Sequence, residues 1–235
     1  MISVQIKPGA RPDVLAVFSF RYDAHLVPAL LANIEPMVDG WVFYDDRAGE
    51  GVFSNEVRRR TLLLNAARDA GARWALAVDP DERFEAPLAS HLRALTAHPG
   101  RCYSFALREM YSPTAYRIDG VWGGKRQARL LSLEQGVIVP EGDLHLPWSR
   151  FVGHARVEHT DFNLYHLKMI TRARRVARAA LYNHLDPNGA MQQLGYDYLA
   201  DDAGAEFEAI PHGREYTPAH HEDGGLWMPQ LTAAE

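Results

Sequence analysis

With 235 residues, 47% of them hydrophobic and 23% charged, the chain has the size and balance of a single α/β domain with a sizeable core. A formal net charge of −5 excludes a global attraction to nucleic acid, and a lone Cys102 excludes an internal disulfide and fits a reducing compartment. No charged-then-apolar leader and no bilayer-length apolar run stands out, so a cytoplasmic location is expected.

Residues 1–10 carry Pro8 and Gly9 and read as a short lead-in. Leu15 to Phe20 then reads as a buried first strand. Over residues 25–37, Leu26, Leu30, Ile34 and Met37 recur at helical spacing, with Pro28 early and Pro36 and Gly40 at the exit. Trp41-Val42-Phe43-Tyr44 is a second strand that ends on Asp45-Asp46-Arg47, and Gly49 and Gly51 make a flexible loop after it. Ser54 is the expected N-cap of the next helix, Glu56 suits its first turn and Gly71 its stop. Val57, Leu63, Leu64, Ala67 and Ala70 form its apolar stripe, which leaves Arg58, Arg59 and Arg60 largely on the other side.

Trp74-Ala75-Leu76-Ala77-Val78 is hydrophobic at every position, the pattern of a central strand covered on both faces, and it runs straight into Asp79-Pro80-Asp81-Glu82. A helix over residues 87–97 follows, closed by Pro99-Gly100. This alternation predicts a mostly parallel sheet with right-handed crossovers. After residue 100, Tyr103, Phe105 and Leu107 alternate as in a half-exposed strand. Residues 128–133 and 136–139 read as further antiparallel strands around a Gly-rich loop at 120–124, and a long helix is predicted over 169–184. Beyond Gly195 no element is assigned.

The acid cluster is the most telling feature. Its three carboxylates repel one another unless water, a cation or a basic partner meets them. Open α/β sheets bind ligands at the carboxyl ends of their strands, where an Asp-x-Asp is a natural clamp for a divalent metal carrying a phosphorylated substrate. Asp45 and Asp46 end the neighbouring strand, within reach of the same ligand as hydrogen-bond acceptors; Asp45 is the nearer to the strand. His166 and Lys168, one residue apart, point to the same side of an extended segment. No acid occurs between Phe162 and Leu185, whereas Lys168, Arg172, Arg174, Arg175 and Arg178 do. That local positive patch suits a nucleoside diphosphate or an anionic membrane. Arg174, Arg175 and Arg178 read as the solvated face of a surface helix, and Arg172 as the one turned to the site.

Two strand-end acid sites, a Glu-x-x-Arg-Arg helix and Trp-Ala-Leu-Ala-Val-Asp-Pro-Asp-Glu closing the first half resemble the inverting glycosyltransferases of family 2, over about residues 14–186. Arg129-Leu130-Leu131, Leu144-His145 and Tyr165-His166-Leu167-Lys168 add weaker likenesses. The chain departs from the family pattern in Tyr44-Asp45-Asp46-Arg47-Ala48, in Arg21-Tyr22-Asp23 after the first strand, and in Leu146 after His145.

The resemblance implies a GT-A-like three-layer α/β/α sandwich around a mixed, mostly parallel sheet. It implies one domain over 1–235, with a nucleotide-binding half at about 12–100, an acceptor half at about 101–195 and an unassigned tail at 196–235. The activity implied is metal-dependent transfer of a sugar from a nucleotide-sugar donor to the hydroxyl of a glycan or lipid-linked acceptor, with inversion. Asp81 and His166 would ligate Mn²⁺ or Mg²⁺, with His154 and His159 as alternatives to His166. Asp45, Asp46, Asp79, Lys168 and Arg172 would hold the nucleotide, and Glu82 would pair with an arginine behind the site. Asp143 is the expected general base, with Glu141 and Asp119 as alternatives, and Trp122 and Trp148 are candidates to stack on a sugar. The rival readings are a nucleotidyltransferase, a zinc enzyme and a non-catalytic sugar-nucleotide-binding or partner-binding domain. Ser19-Phe20-Arg21-Tyr22 lacks the Gly-rich phosphate loop of the first, and no His-Glu-x-x-His supports the second.

Overall fold

The computed structural model describes residues 1–49, 55–141, 146–153, 156–190 and 192–220. Four strands make the first part of the sheet: β1 (Ile2–Ile6), β2 (Val14–Phe20), β3 (Gly40–Asp45) and β4 (Trp74–Ala77). β2 lies parallel to both β3 and β4, and β1 closes the edge antiparallel to β3. The lead-in expected at residues 1–10 is thus partly an edge strand. The second part contains β5 (Glu82–Phe84), β6 (Arg101–Ser112), β7 (Ala115–Arg117), β8 (Arg126–Ser132), β9 (Arg156–His166) and β10 (Phe207–Ala209). β8 runs antiparallel between β4 and β6, β9 runs parallel to β6, and β7 and β10 extend the end of β6.

The ten strands form one mixed sheet in an α/β fold. Three of its nine described strand pairings are parallel (β2–β3, β2–β4, β6–β9), so the sheet is mixed as expected but mostly antiparallel, a correction to the expected mostly parallel one. The physical reason is that β4 neighbours β8, which arrives by hairpin-like return rather than by a helical crossover.

Period-two alternation along β2 and β4 distributes the core to both faces. Val14, Ala16, Phe18, Trp74 and Leu76 pack on one side with α1 (Val27–Ile34) and α3 (Leu88–Leu95). Leu15, Val17, Ala75 and Ala77 pack on the other with α2 (Glu56–Asp69) and with Trp148, Phe151 and Val152. Full burial of each large apolar side chain stabilises the fold by roughly 1.5–3 kcal/mol. α2 begins on Asn55, whose side chain accepts from the Arg58 amide at 2.8 Å; Ser54, the expected cap, lies outside the described residues. Gly71, at φ +96°, ends that helix as the sequence predicts. α4 (Arg172–Leu185) starts on Thr171, which accepts from the Arg174 amide, slightly later than expected. Residues 136–139 form no strand; Val137 makes an isolated bridge to Val152.

One pairing positions the site. The acid turn does not lead directly into helix but into β5, which pairs antiparallel with β9 so that Glu82 stands opposite His166. The Leu167 amide then donates to the Asp81 carbonyl at 2.6 Å. Two motifs eighty residues apart in sequence are therefore held side by side by backbone hydrogen bonds.

Candidate functional site

A cleft of about 370 Å³ opens at the carboxyl ends of β2, β3, β4 and β9. Residues 19–23 line it from the end of β2, Asp46 from just beyond β3, and Asp79 to Glu82 from beyond β4. Glu56, Arg59 and Arg60 reach in from α2, Gln127 and Arg129 from β8, His166 and Lys168 from the end of β9, and Arg178 and Tyr182 from α4.

The acids of this cleft are met by arginines. Arg129 holds Glu82 through two hydrogen bonds, Nε to Oε2 at 2.9 Å and Nη2 to Oε1 at 2.5 Å, and its Nη2 also reaches Asp79 Oδ2 at 3.2 Å. The expected supporting role of Glu82 is thus realised, and its second task is to accept the Asp79 amide at 2.9 Å. Arg178 Nη2 bridges Asp23 Oδ2 at 2.7 Å and Asp81 Oδ2 at 3.1 Å. Arg174 Nη2 lies 2.9 Å from Asp23 Oδ1 and 3.8 Å from Asp81 Oδ2. Arg21 and Arg59 pair with Asp46 at 3.6 and 3.7 Å, and Arg60 pairs with Glu56 at 3.1 Å while stacking over Trp148.

His166 sits between carboxylates: Nδ1 is 2.9 Å from Glu109 Oε2 and Nε2 is 3.5 Å from Asp81 Oδ1. Burial alone would lower its pKa, but Glu109 and Asp81 hold it up to about 10. Burial likewise works against the ionised forms of Asp81 and Glu109. The facing His166 charge still pulls both down, Glu109 to about 2, and Arg178 and Arg174 add to the pull on Asp81. Asp23 moves the other way, raised by burial and by the negative charge of Asp81.

Lys168 differs from the arginines. Among the described residues it makes no ion pair; its Nζ lies 3.5 Å from the Tyr182 hydroxyl and 4.9 Å from the ring centre. Against the cost of burial, Tyr182 holds the ammonium pKa up, and Lys168 and Arg178 pull the Tyr182 phenol down despite its own burial.

The cleft gathers Asp46, Asp79, Asp81, His166 and Lys168 from the residues singled out in the sequence. It leaves out two. Asp45 turns outward and pairs with Arg47 at 2.7 Å, which lowers its pKa. Arg172, with 69% of its side chain exposed, pairs with Asp202 at 3.0 Å outside the cleft. Asp143, with His145 and His154, lies outside the described residues. Asp119 is bound to Arg117 at 2.7 Å, away from the cleft. His159 contacts the Ser104 hydroxyl at 2.6 Å, and Trp122 and Trp148 are buried against Tyr198 and Phe151 rather than presented to a sugar.

Arg174, Arg175 and Arg178 are not a solvated helix face: all three are buried, the first and third on the acids of the cleft and Arg175 on Asp202 and the Met169 carbonyl. Sequence reasoning also missed Asp23, Arg59, Arg60, Glu109 and Tyr182. The available signal was the i, i+4 spacing of Arg174 and Arg178 in an acid-free helix, which puts two guanidiniums on one face in need of distant carboxylates.

A divalent cation at Asp81 and His166 is tested by the donor set. Hard cations take several oxygen ligands and gain affinity from the negative charge around them. Among the described residues no group of three or more His, Cys, Asp or Glu side chains is arranged to hold a metal. Asp81 already carries Arg178 and Arg174 on one oxygen, and Asp79 carries Arg129. The described side chains by themselves therefore do not make up a site for Mn²⁺ or Mg²⁺.

Neither the protein-family models nor the curated proteins compared with this chain give a match. The groups of the cleft can meet anions and hydroxyls: guanidiniums, one ammonium that makes no ion pair among the described residues, and carboxylates able to accept hydrogen bonds from hydroxyls. Of the cleft acids in ion pairs, Asp79 is the most accessible, with 38% of its side chain exposed, against 5% for Asp46, 11% for Glu56 and 6% for Asp81.

Proposed function

We propose that the protein is a glycosyltransferase, moving a sugar from a nucleoside-diphosphate donor to an acceptor hydroxyl, on a GT-A-like version of the mixed α/β fold. The observation that carries this reading is the joining, in one strand-end cleft, of an accessible Asp79 and an unmatched Lys168. A carboxylate suits ribose or sugar hydroxyls, and an ammonium suits phosphate oxygens. The volume of about 370 Å³ falls within the range of small-molecule sites.

In this reading the donor lies across the ends of β2 and β4, with its nucleoside toward Phe20, Arg21 and Asp46 and its diphosphate toward Lys168 and Arg178. The acceptor hydroxyl attacks the anomeric carbon as the bond to the diphosphate oxygen breaks. The inverting stereochemistry is carried from the family resemblance, and Asp143, just before His145 in the sequence, is the base expected to take the hydroxyl proton. Glu82 and Arg129 hold the backbone and side chain of Asp79, so their role is positioning.

The test is a thermal-shift screen of nucleoside diphosphates and sugar nucleotides, followed by assay of nucleoside diphosphate released from the donor that binds. A ligand at a hundredfold excess over its Kd stabilises the fold by about 2.7 kcal/mol. In a domain of this size that raises Tm by about 5–10 °C. Binding with no release in the presence of varied acceptors would favour a non-catalytic sugar-nucleotide binder, and no shift with any nucleotide would refute the donor assignment.

A further inference from the structure

We propose that this cleft receives the leaving diphosphate on cations of the chain itself, Lys168 and Arg178 foremost, and that donor binding and transfer proceed without a divalent metal. The inference rests on the nucleoside-diphosphate reading above and deepens it.

The Asp-x-Asp motif is the natural place for a metal, and here both of its carboxylates are engaged otherwise. Asp79 Oδ2 faces Arg129 Nη2 at 3.2 Å. Asp81 Oδ2 faces Arg178 at 3.1 Å and Arg174 at 3.8 Å, while Oδ1 faces His166. Even with the imidazole taken as neutral, Arg174, Arg178, Lys168 and Lys125 outnumber Asp23, Asp81 and Glu109 around this point. A dication seated on Asp81 would enter a region already positive and beside two guanidiniums in a poorly solvated setting. Displacing them is no escape, since both are buried in α4 and tied to Asp23 on the facing segment.

Cation sites of this kind suit an anion. Arg178 presents its guanidinium to the cleft from a position fixed by two carboxylates, so little ordering remains when a phosphate arrives. Lys168 adds a charge that makes no ion pair among the described residues, although Glu109 and Asp81 lie near enough to act on it, and Tyr182 stands beside it. In the transfer step the bond between the anomeric carbon and the β-phosphate oxygen breaks, and its electron pair goes to that oxygen. The acceptor oxygen bonds the same carbon and gives up its proton, finally to solvent. Products are the glycoside, the nucleoside diphosphate and one proton. The charge that grows on the leaving oxygen is what Lys168 and Arg178 would offset.

The experiment uses the full chain, with uridine, guanosine, cytidine, adenosine and deoxythymidine diphosphates and their sugar derivatives as probes. Each is titrated in excess EDTA and in Mn²⁺. The expected result is one nucleotide whose Kd agrees within about twofold between the two conditions, with turnover equally indifferent to EDTA. Lys168→Gln should weaken that nucleotide at least tenfold while retaining the circular dichroism spectrum, and Lys168→Arg should restore much of the loss. Binding that vanishes in EDTA and returns with Mn²⁺ overturns the proposal and leaves the donor reading intact. Metal-independent binding that Lys168→Gln leaves unchanged overturns the role of Lys168. No binding in either condition overturns this inference and the donor reading together.

Discussion

The charge of His166 depends on its setting, because two carboxylates, Glu109 at 2.9 Å and Asp81 at 3.5 Å, face its two nitrogens. Its folded pKa, held up to about 10, exceeds the ordinary value of 6.5. Its contribution to stability is therefore fully present below pH 6.5 and is lost as pH rises through about 10. Glu109 works in the opposite sense: its pKa falls from 4.5 to about 2, so its contribution is present above 4.5 and lost as pH drops toward 2. The Tm advantage of the protein over a His166→Asn variant should accordingly shrink steadily from pH 6.5 to 10. A difference that stays constant over that interval would mean the imidazole is not charged in the fold. Asp79 and Asp81 were legible in sequence because they follow an apolar strand, and His166 and Lys168 because they share the short run Tyr165-His166-Leu167-Lys168. Their partners were not: Arg178 finds Asp23 across 155 positions, a separation that periodicity does not report.

Among elements, α4 shows best where reading by pattern stops. Amphipathic logic assigns arginine to solvent. That holds for Arg172, paired with Asp202 and 69% exposed, and fails for Arg174 and Arg178, whose guanidiniums are inside the molecule. The two kinds of ion pair differ in worth. An exposed pair contributes about 0–1 kcal/mol, whereas removing one partner of a buried pair costs about 3–5 kcal/mol by stranding the other charge. Urea unfolding should thus find Arg172→Ala within about 1 kcal/mol of the parent. Arg178→Ala should lose several times more, since Asp23 and Asp81 both keep their charges without it. Equal losses in the two variants would sink the assignment of α4 to the cleft. The same limit explains the strands. β2, β3 and β4 announce themselves by apolar runs, whereas β9 mixes exposed Arg156, Val157 and His159 with buried Leu164 and Tyr165, and β5 has three residues. Pairing makes them strands, β9 along β6 and β5 on β9.

For the molecule as a whole, the two halves expected within the one domain share a sheet. The sheet passes through their border without interruption, β4 pairing with β8 and β8 with β6. β5, from the first half, is an edge partner of β9 from the second. Late residues return to the first half as well: the Ala86 amide donates to the Glu215 carbonyl at 2.8 Å, and Asn33 Nδ2 donates to the Thr217 carbonyl at 2.8 Å. Buried charge crosses the same border, because Asp23 and Asp81 are neutralised from α4. Chains longer than about 150 residues commonly unfold through intermediates, one unit before another. Here neither half can leave without stranding buried carboxylates or arginines, and without opening the centre of the sheet. Equilibrium unfolding in urea should consequently be a single transition. Tryptophan fluorescence, which among the described residues samples Trp41 in β3, Trp74 in β4, and Trp122 and Trp148 in the second half, should superpose on far-ultraviolet circular dichroism with one midpoint and one slope. Two midpoints, with the Trp74 signal surviving the loss of α4 helicity, would show that residues 12–100 stand alone and that the buried charge pairs do not bind the halves together.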